Sequence, residues 1–408
     1  MKGYSTTIRG SRIKAVIFIG SLFLYTLAYT LLAPLGASRV LDRGLLILFV
    51  VLEVIGTFFF YLSCSKQYSR SYKHVNSLVN SLVAFCLLCI GYAIVELAVG
   101  DVQKVTSNLP TIISVSLSLP ASLYYLRSQN PISIGKIVFW LFLPIYCCSF
   151  LDNFLQFRVV GGYSEDVFLH GVNVAYSFVI LTPLALFAYK DKKWIGLLLL
   201  LLLSILVFLC AKRGAILSQG LIILIFILRS PYKFDRRVFF ALCLGGLLVS
   251  IPVVSRIQNM EVSPLDRFED SSGSGRAQIY TKIFDGVMRS SFGSLLLGHG
   301  FYATSDYTKQ SLEFNIAVVA HNDWLEVAYD FGLVGLVLYL SILLSILRSV
   351  VKSERRESNL LLITLAIFLV RTSFSMVYAD KGSVIYYLGI GLIFLDGLAN
   401  KSAKQMRQ

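Results

Sequence analysis

Charged side chains are scarce in this chain: Asp, Glu, Lys and Arg supply 15% of 408 residues, whereas 56% are hydrophobic. At a mean hydropathy of +0.73, that shortage excludes a water-soluble globular protein and a disordered tail, both of which need far more polar surface. Acidic residues are the scarcer kind, 23 against 37 basic ones, for a net charge of +14. In a soluble protein such a balance would point to nucleic acid, but here Lys and Arg cluster between apolar runs and report membrane topology instead. The seven cysteines (Cys64, Cys86, Cys89, Cys147, Cys148, Cys210 and Cys243) all fall within or at the edge of apolar runs, so neither a disulfide framework nor a cysteine metal site is expected. There is no Walker loop, no His-Glu-x-x-His and no clustered Asp pair. Gly298-His299-Gly300-Phe301-Tyr302-Ala303 fits the dinucleotide pattern by letter only, because it follows no strand and lacks a βαβ context. An enzyme built this way is expected to use no nucleotide, no cofactor and no bound metal.

What the chain has in abundance is long apolar runs. A membrane-spanning helix needs about 20 mostly apolar residues, and twelve stretches qualify: 15–35, 44–64, 78–99, 109–126, 132–151, 171–189, 194–210, 214–228, 238–254, 324–347, 359–379 and 384–399. Each is read as a helix, because backbone polar groups in lipid must pair within their own segment. The expected fold is therefore an all-α, polytopic integral membrane protein of about twelve spans. Placing the N-terminus in the cytoplasm puts the basic clusters around Lys14, Arg70, Lys136, Lys192, Arg236, Arg356 and Lys404 on that side, as the positive-inside rule requires. Both termini are then cytoplasmic. The basic start of the chain resembles a signal peptide, but the apolar run that follows is too long for one and is read as a retained first helix. Three regions result: 1–254 with nine spans, a large exported loop at 255–323, and 324–408 with three spans and a cytoplasmic tail.

Chemistry is expected where the chain leaves the lipid, in 152–170 and above all in 255–323. The shorter loop carries Asp152, Arg158, Glu165, Asp166 and His170 without specific spacing. In the longer one, Ile279, Ile283, Phe284, Val287 and Met288 recur at helical spacing, predicting a short amphipathic helix along the membrane surface from about Ser274. Arg276 sits in its first turn, where the helix dipole disfavours a cation. One reading is a phosphate site in which Arg276, the backbone freed by Gly275 and the helix start converge on an anion. The other is a surface arginine paired with Glu269 or Asp270. Lys212-Arg213-Gly214 interrupts an otherwise apolar stretch in a tight exported turn; it calls either for a polyanionic ligand or for two snorkelling side chains. Two of the four histidines fall in the long loop. His321, in Ala320-His321-Asn322-Asp323-Trp324-Leu325-Glu326, is a candidate general base, with Asp323 and Glu326 at capping-box spacing. Among intramembrane acids, Glu53 is read as a functional group or as a partner for Arg371, and Glu96 and Asp330 complete the set.

Lys212-Arg213-Gly214-Ala215, Ser274-Gly275-Arg276, Leu297-Gly298-His299-Gly300, the His321 motif and Phe331-Gly332-Leu333-Val334-Gly335-Leu336 together resemble the O-antigen polymerase and O-antigen ligase superfamily of bacterial envelope glycosyltransferases. The resemblance covers the second half of the chain; the first six spans match only in hydrophobicity. It implies a GT-C-like enzyme of the bacterial inner membrane, working on the periplasmic face without metal. The donor would be a glycan on undecaprenyl diphosphate, and the acceptor would be a hydroxyl. By that resemblance Arg213 and Arg276 hold the diphosphate and His321 is essential, with Lys212, His299, Asn322, Glu326 and Gly275 as substrate-binding candidates. Lys212 replaces a small hydroxyl residue, and His299 between two glycines leaves two candidates for the base. The His-Asn-Asp-Trp-Leu-Glu form is closer to the polymerases, which use a lipid-linked repeat unit as acceptor and work with a chain-length regulator, than to the ligases, which transfer to lipid A-core. A non-enzymatic flippase for the same lipid-linked glycan is the competing class, although the two halves show no matched repeat.

Overall fold

The computed structural model describes residues 2–32, 39–63, 73–160, 165–210, 212–229, 276–311 and 319–406. Its elements, numbered here among those residues, are α1 (Lys2–Leu27, continued by a π-helical turn Ala28–Leu32), α2 (Arg39–Ser63), α3 (Lys73–Val99), α4 (Val102–Tyr125), α5 (Pro131–Val160), α6 (Glu165–Ala188), α7 (Lys193–Leu209) and α8 (Arg213–Arg229). Then follow α9 (Arg276–Met288), α10 (Phe292–Leu297), α11 (Ala303–Ser311), α12 (Asp323–Lys352), α13 (Arg355–Phe374) and α14 (Ser383–Gln405). No strand occurs among the described residues, and the protein is an all-helical polytopic membrane protein.

Seven of these helices are long and apolar enough to span a bilayer. Every expected span coincides with a helix except 238–254, which lies outside the described residues. The four other described ones differ for physical reasons. α4 carries Pro110 and Pro120 and is buried almost continuously from Thr111 to Leu123, so it is a core helix shielded from lipid rather than a uniformly apolar one. The described side chains of α6 make a shorter apolar run, Val174–Ala188. α7 and α8 have 17 residues each, about 25 Å at 1.5 Å per residue, a little short of the hydrocarbon thickness.

Burial follows helical periodicity. On α3 the buried side chains are Val75, Leu78, Val79, Leu82, Phe85, Cys86, Cys89 and Ala93, a stripe at three- and four-residue spacing that faces α4 and α12. Hydrophobic attraction between helices is weak in lipid, so small residues and polar bonds hold them together. Gly56 of α2 lies against Ala121 and Tyr125 of α4, and Gly391 of α14 lies against Ser122. A polar knot joins three helices: Thr182 of α6 donates to Gln219 of α8 (3.2 Å), and Gln219 donates to Ser204 of α7 (2.9 Å).

The two segments expected to lie outside the lipid are more helical than their polarity suggests. α5 runs on to Val160 and α6 begins at Glu165, so most of 152–170 continues two spans instead of forming a loop. In the long segment, 276–311 folds into α9, α10 and α11, and α9 matches the expected amphipathic helix. Ile279 and Ile283 of α9 pack on Ala320 and Tyr329, with Tyr307 and Leu325 around them. These short helices therefore sit on the first turns of α12, and 230–275, with Gly275, lies outside the described residues.

Candidate active site

α12 is broken one-third of the way along. Gly332 has φ +62°, and the helix resumes beyond it. The break frees the carbonyls of Tyr329 and Asp330, which accept from the backbone N–H of His299 (2.9 Å) and Gly300 (3.0 Å). Gly298 (φ +82°) crosses so closely that a Cβ on it would run into the Asp330 carbonyl, and one on Gly332 would lie 2.5 Å from the Gly298 nitrogen. The two glycine motifs noted in the sequence are thus the halves of one backbone lock between the long loop and α12.

Three buried carboxylates on α12 complete the attachment. Asp323 accepts from the Tyr339 hydroxyl and from Val377 N–H (2.9 Å). Glu326 accepts from His321 N–H (3.1 Å) and the Tyr378 hydroxyl (3.2 Å). Asp330 accepts from both the N–H and the hydroxyl of Thr304, each at 2.7 Å. Asn322, not Asp323, caps the helix, accepting from Leu325 N–H (3.2 Å) while its amide donates to Ser373 O (3.3 Å). Asn322 and Glu326 therefore hold backbone, and Glu326 orients His321 through its main chain rather than its ring.

That clamp has a purpose at His321, which stands at φ +53°, a left-handed conformation unusual for a side-chain-bearing residue. Its N–H is held by Glu326 and its carbonyl by the Tyr280 hydroxyl (3.5 Å), while the ring makes no hydrogen bond to any described residue. Burial, and then the positive charges of Arg276 and Lys212, push the His321 imidazole down to about 4. The ring is therefore neutral near pH 7, with two cations bearing on it.

Arg276 opens α9 and donates to Phe374 O (3.2 Å) at the end of α13. It has no carboxylate partner among the described residues; Glu269 and Asp270 lie outside them. Lys212 places its ammonium 4.6 Å from the centre of the Tyr176 ring. Gly214, at the start of α8, leaves room for Tyr176 and Phe374, both of which a Cβ would meet. So Lys212, Arg276 and His321, which are 109 positions apart from first to last, come together where α6, α8, α9 and the end of α13 meet. Arg213 is exposed at the first position of α8, beside this group, while its neighbour Lys212 is the residue set against Tyr176 and His321.

Two further groups were not singled out as site residues by sequence. Arg371, 1% exposed in α13, lies 5.3 Å from the Tyr176 ring centre. It pairs with Asp380 and bonds Met376 O (3.1 Å), not Glu53, and its Nε and Nη1 have no partner among the described residues. Glu53 is fully buried beside Ser114 of α4. The Tyr176 hydroxyl is also buried and unpartnered among the described residues, within electrostatic reach of Arg371 and Arg276. Glu96 pairs with Lys104 (3.1 Å), which reaches Asp306 of α11 (2.7 Å), so that acid fastens the loop. His299 belongs to another group: its Nε2 is 2.8 Å from the Ser290 hydroxyl and its ring stacks on Tyr329 at 4.3 Å. Burial lowers its pKa, yet neither Arg276 nor Lys212 acts on it. No group of His, Cys, Asp and Glu among the described residues is arranged to hold a metal.

A neutral imidazole beside two cations suits a reaction in which an anionic leaving group departs and a hydroxyl loses a proton. Residues 176–340, from Tyr176 through Lys212, Arg276 and His321 to the middle of α12, match the family described as O-antigen ligase. That segment, about two-fifths of the chain, is similar to the O-antigen ligase family. No curated protein matches the chain. The similarity supports the polymerase or ligase class of membrane glycosyltransferases. Arg371 lies beyond the matched segment.

Proposed function

We propose that the protein polymerises O-antigen, or a related surface polysaccharide, at the periplasmic face of the bacterial inner membrane. The donor is the growing glycan on undecaprenyl diphosphate, the acceptor is a single lipid-linked repeat unit, and a chain-length regulator is the expected partner. The observation that carries this reading is the convergence of Arg276 and Lys212 on a neutral His321 whose ring bonds to no described residue.

In this mechanism the bond between the anomeric carbon and the diphosphate oxygen breaks while the acceptor hydroxyl oxygen attacks from the opposite face, with inversion. The electron pair leaves with undecaprenyl diphosphate, whose charge is held by Arg276 and Lys212, with Arg213 at the mouth. The hydroxyl proton passes to His321. In the free site that imidazole is a weak base, because burial and the two cations disfavour its protonation. A bound diphosphate offsets the cations and raises the basicity of His321, so proton abstraction is coupled to donor binding. His299, engaged with Ser290 and Tyr329, is not the base in this scheme.

The family's description favours a second reading, a ligase that transfers glycan to lipid A-core. Purified protein given lipid-linked repeat units alone separates them. A ladder of longer glycans is expected; product only after addition of lipid A-core means a ligase, and the absence of any covalent product means transport.

A further inference from the structure

The α7–α8 hairpin has charge at both ends. One end carries Lys212 and belongs to the candidate active site. The other opens into a cleft between the end of α6, the start of α7, the end of α8 and the start of α13. Its lining contains Lys190, Lys193, Arg229 and Arg356 and no acidic side chain.

The arrangement is graded along the helices. On α7, Lys193 at the mouth is followed one turn deeper by Leu197. α8 reaches Phe226 before ending at Arg229, and α13 starts with Arg356 and reaches Ile363 two turns inward. Each of these helices thus presents a cation at the mouth and an apolar side chain toward the membrane interior. Two of the cations are held in position from behind: Lys190 by Asp396, and Arg356 by Asp191 (3.1 Å) and the Lys190 carbonyl (3.0 Å). Asn359 ties the walls by donating to Arg229 O (2.7 Å). A soluble anion would match the rim but leave the apolar walls uncovered; a neutral lipid would match the walls but not four cations.

We infer that this cleft binds an anionic phospholipid of the surrounding bilayer, with its phosphate among Lys193, Arg229 and Arg356 and an acyl chain along Leu197, Phe226 and Ile363. Basic clefts between membrane helices on the cytoplasmic side hold acidic headgroups by this combination of charge and apolar contact. The bound lipid clamps the base of the hairpin whose opposite end, about 25 Å away, presents Lys212 to His321. The site is separate from the glycosyl-transfer chemistry and does not depend on which class the enzyme belongs to.

The test is native mass spectrometry of the full-length protein titrated with phosphatidylglycerol, phosphatidylethanolamine and inorganic phosphate, alongside the Lys193→Gln/Arg229→Gln variant. The expected result is retained phosphatidylglycerol on the native protein, little phosphatidylethanolamine, no displacement by phosphate, and retention about tenfold or more weaker in the variant, in line with the contribution of each basic residue to acidic-lipid binding. Equal retention of the two lipids, displacement by phosphate alone, or undiminished binding by the variant would overturn the site. To keep the test independent of the variant's folding, a photoreactive phosphatidylglycerol is also applied to the native protein. Attachment to peptides from the start of α7, the end of α8 and the start of α13 supports the inference, and attachment confined to other helices refutes it.

Discussion

His321 is neutral because it is buried and because Arg276 and Lys212 stand beside it, and this has a measurable consequence. The pH dependence of kcat/KM reports the free enzyme. Its acid limb is expected near 4 instead of at the ordinary imidazole value, and Lys212→Gln is expected to move it upward by removing a cation. An acid limb near 6.5 that ignores the Lys212 substitution would take His321 out of the base role. Tyr176 gives a second test at this scale. Its hydroxyl has no partner among the described residues, so Tyr176→Phe costs the fold no hydrogen bond. If the hydroxyl meets the charged donor, kcat/KM falls on the order of tenfold with thermal stability unchanged. Lys212 was legible in the sequence because it interrupts an apolar stretch, Arg276 because a helix start disfavours a cation, and His321 because imidazole exchanges a proton near neutral pH. Arg371 and Tyr176 were not. An arginine inside an apolar helix announces that it has a partner but not which one, and a tyrosine in a span is unremarkable until Lys212 and Arg371 are found against its ring.

The helices around the site are fixed by backbone geometry more than by side-chain packing. Gly298 and Gly332 both need positive φ and approach each other's backbone. Gly332→Ala is expected to destabilise the protein by about 3 kcal/mol or more, read as a fall in thermal midpoint. Gly293→Ala is the control, since the nearest atom to its Cβ would be 4.0 Å away, and it should be nearly silent. A similar midpoint for both variants would contradict the lock. Asp330→Ala removes two bonds from a buried carboxylate to Thr304 and is expected to cost about 2 kcal/mol, with faster hydrogen exchange in α11. The sequence displayed both glycine motifs and all three carboxylates of α12. It did not display the break at Gly332, because a single glycine in an apolar run reads as ordinary span. Nor did it distinguish a catalytic acid from one that anchors a loop: Asp323, Glu326 and Asp330 each hold main-chain N–H groups, which leave no trace in side-chain spacing.

Across the described residues, hydropathy identified the long apolar helices, since lipid permits few alternatives for an apolar run of that length; it gave no sign of α10 and α11. It could not identify α4 as an interior helix, because Pro110, Pro120 and the serines between them lower its hydropathy while burial among α2, α3 and α14 keeps it from lipid. The consequence of the assembly is that distant segments bring cations to one end of the bundle, where an anionic lipid headgroup can reach them. Arg276 tests this most directly, having a backbone carbonyl and no carboxylate as partner among the described residues. Transfer from a defined lipid-linked repeat unit should be measured with purified Arg276→Ala, after confirming that its thermal midpoint and membrane insertion match the native protein. The account predicts a loss of product formation of about 10²–10³, whereas near-native transfer by a folded Arg276→Ala would contradict it.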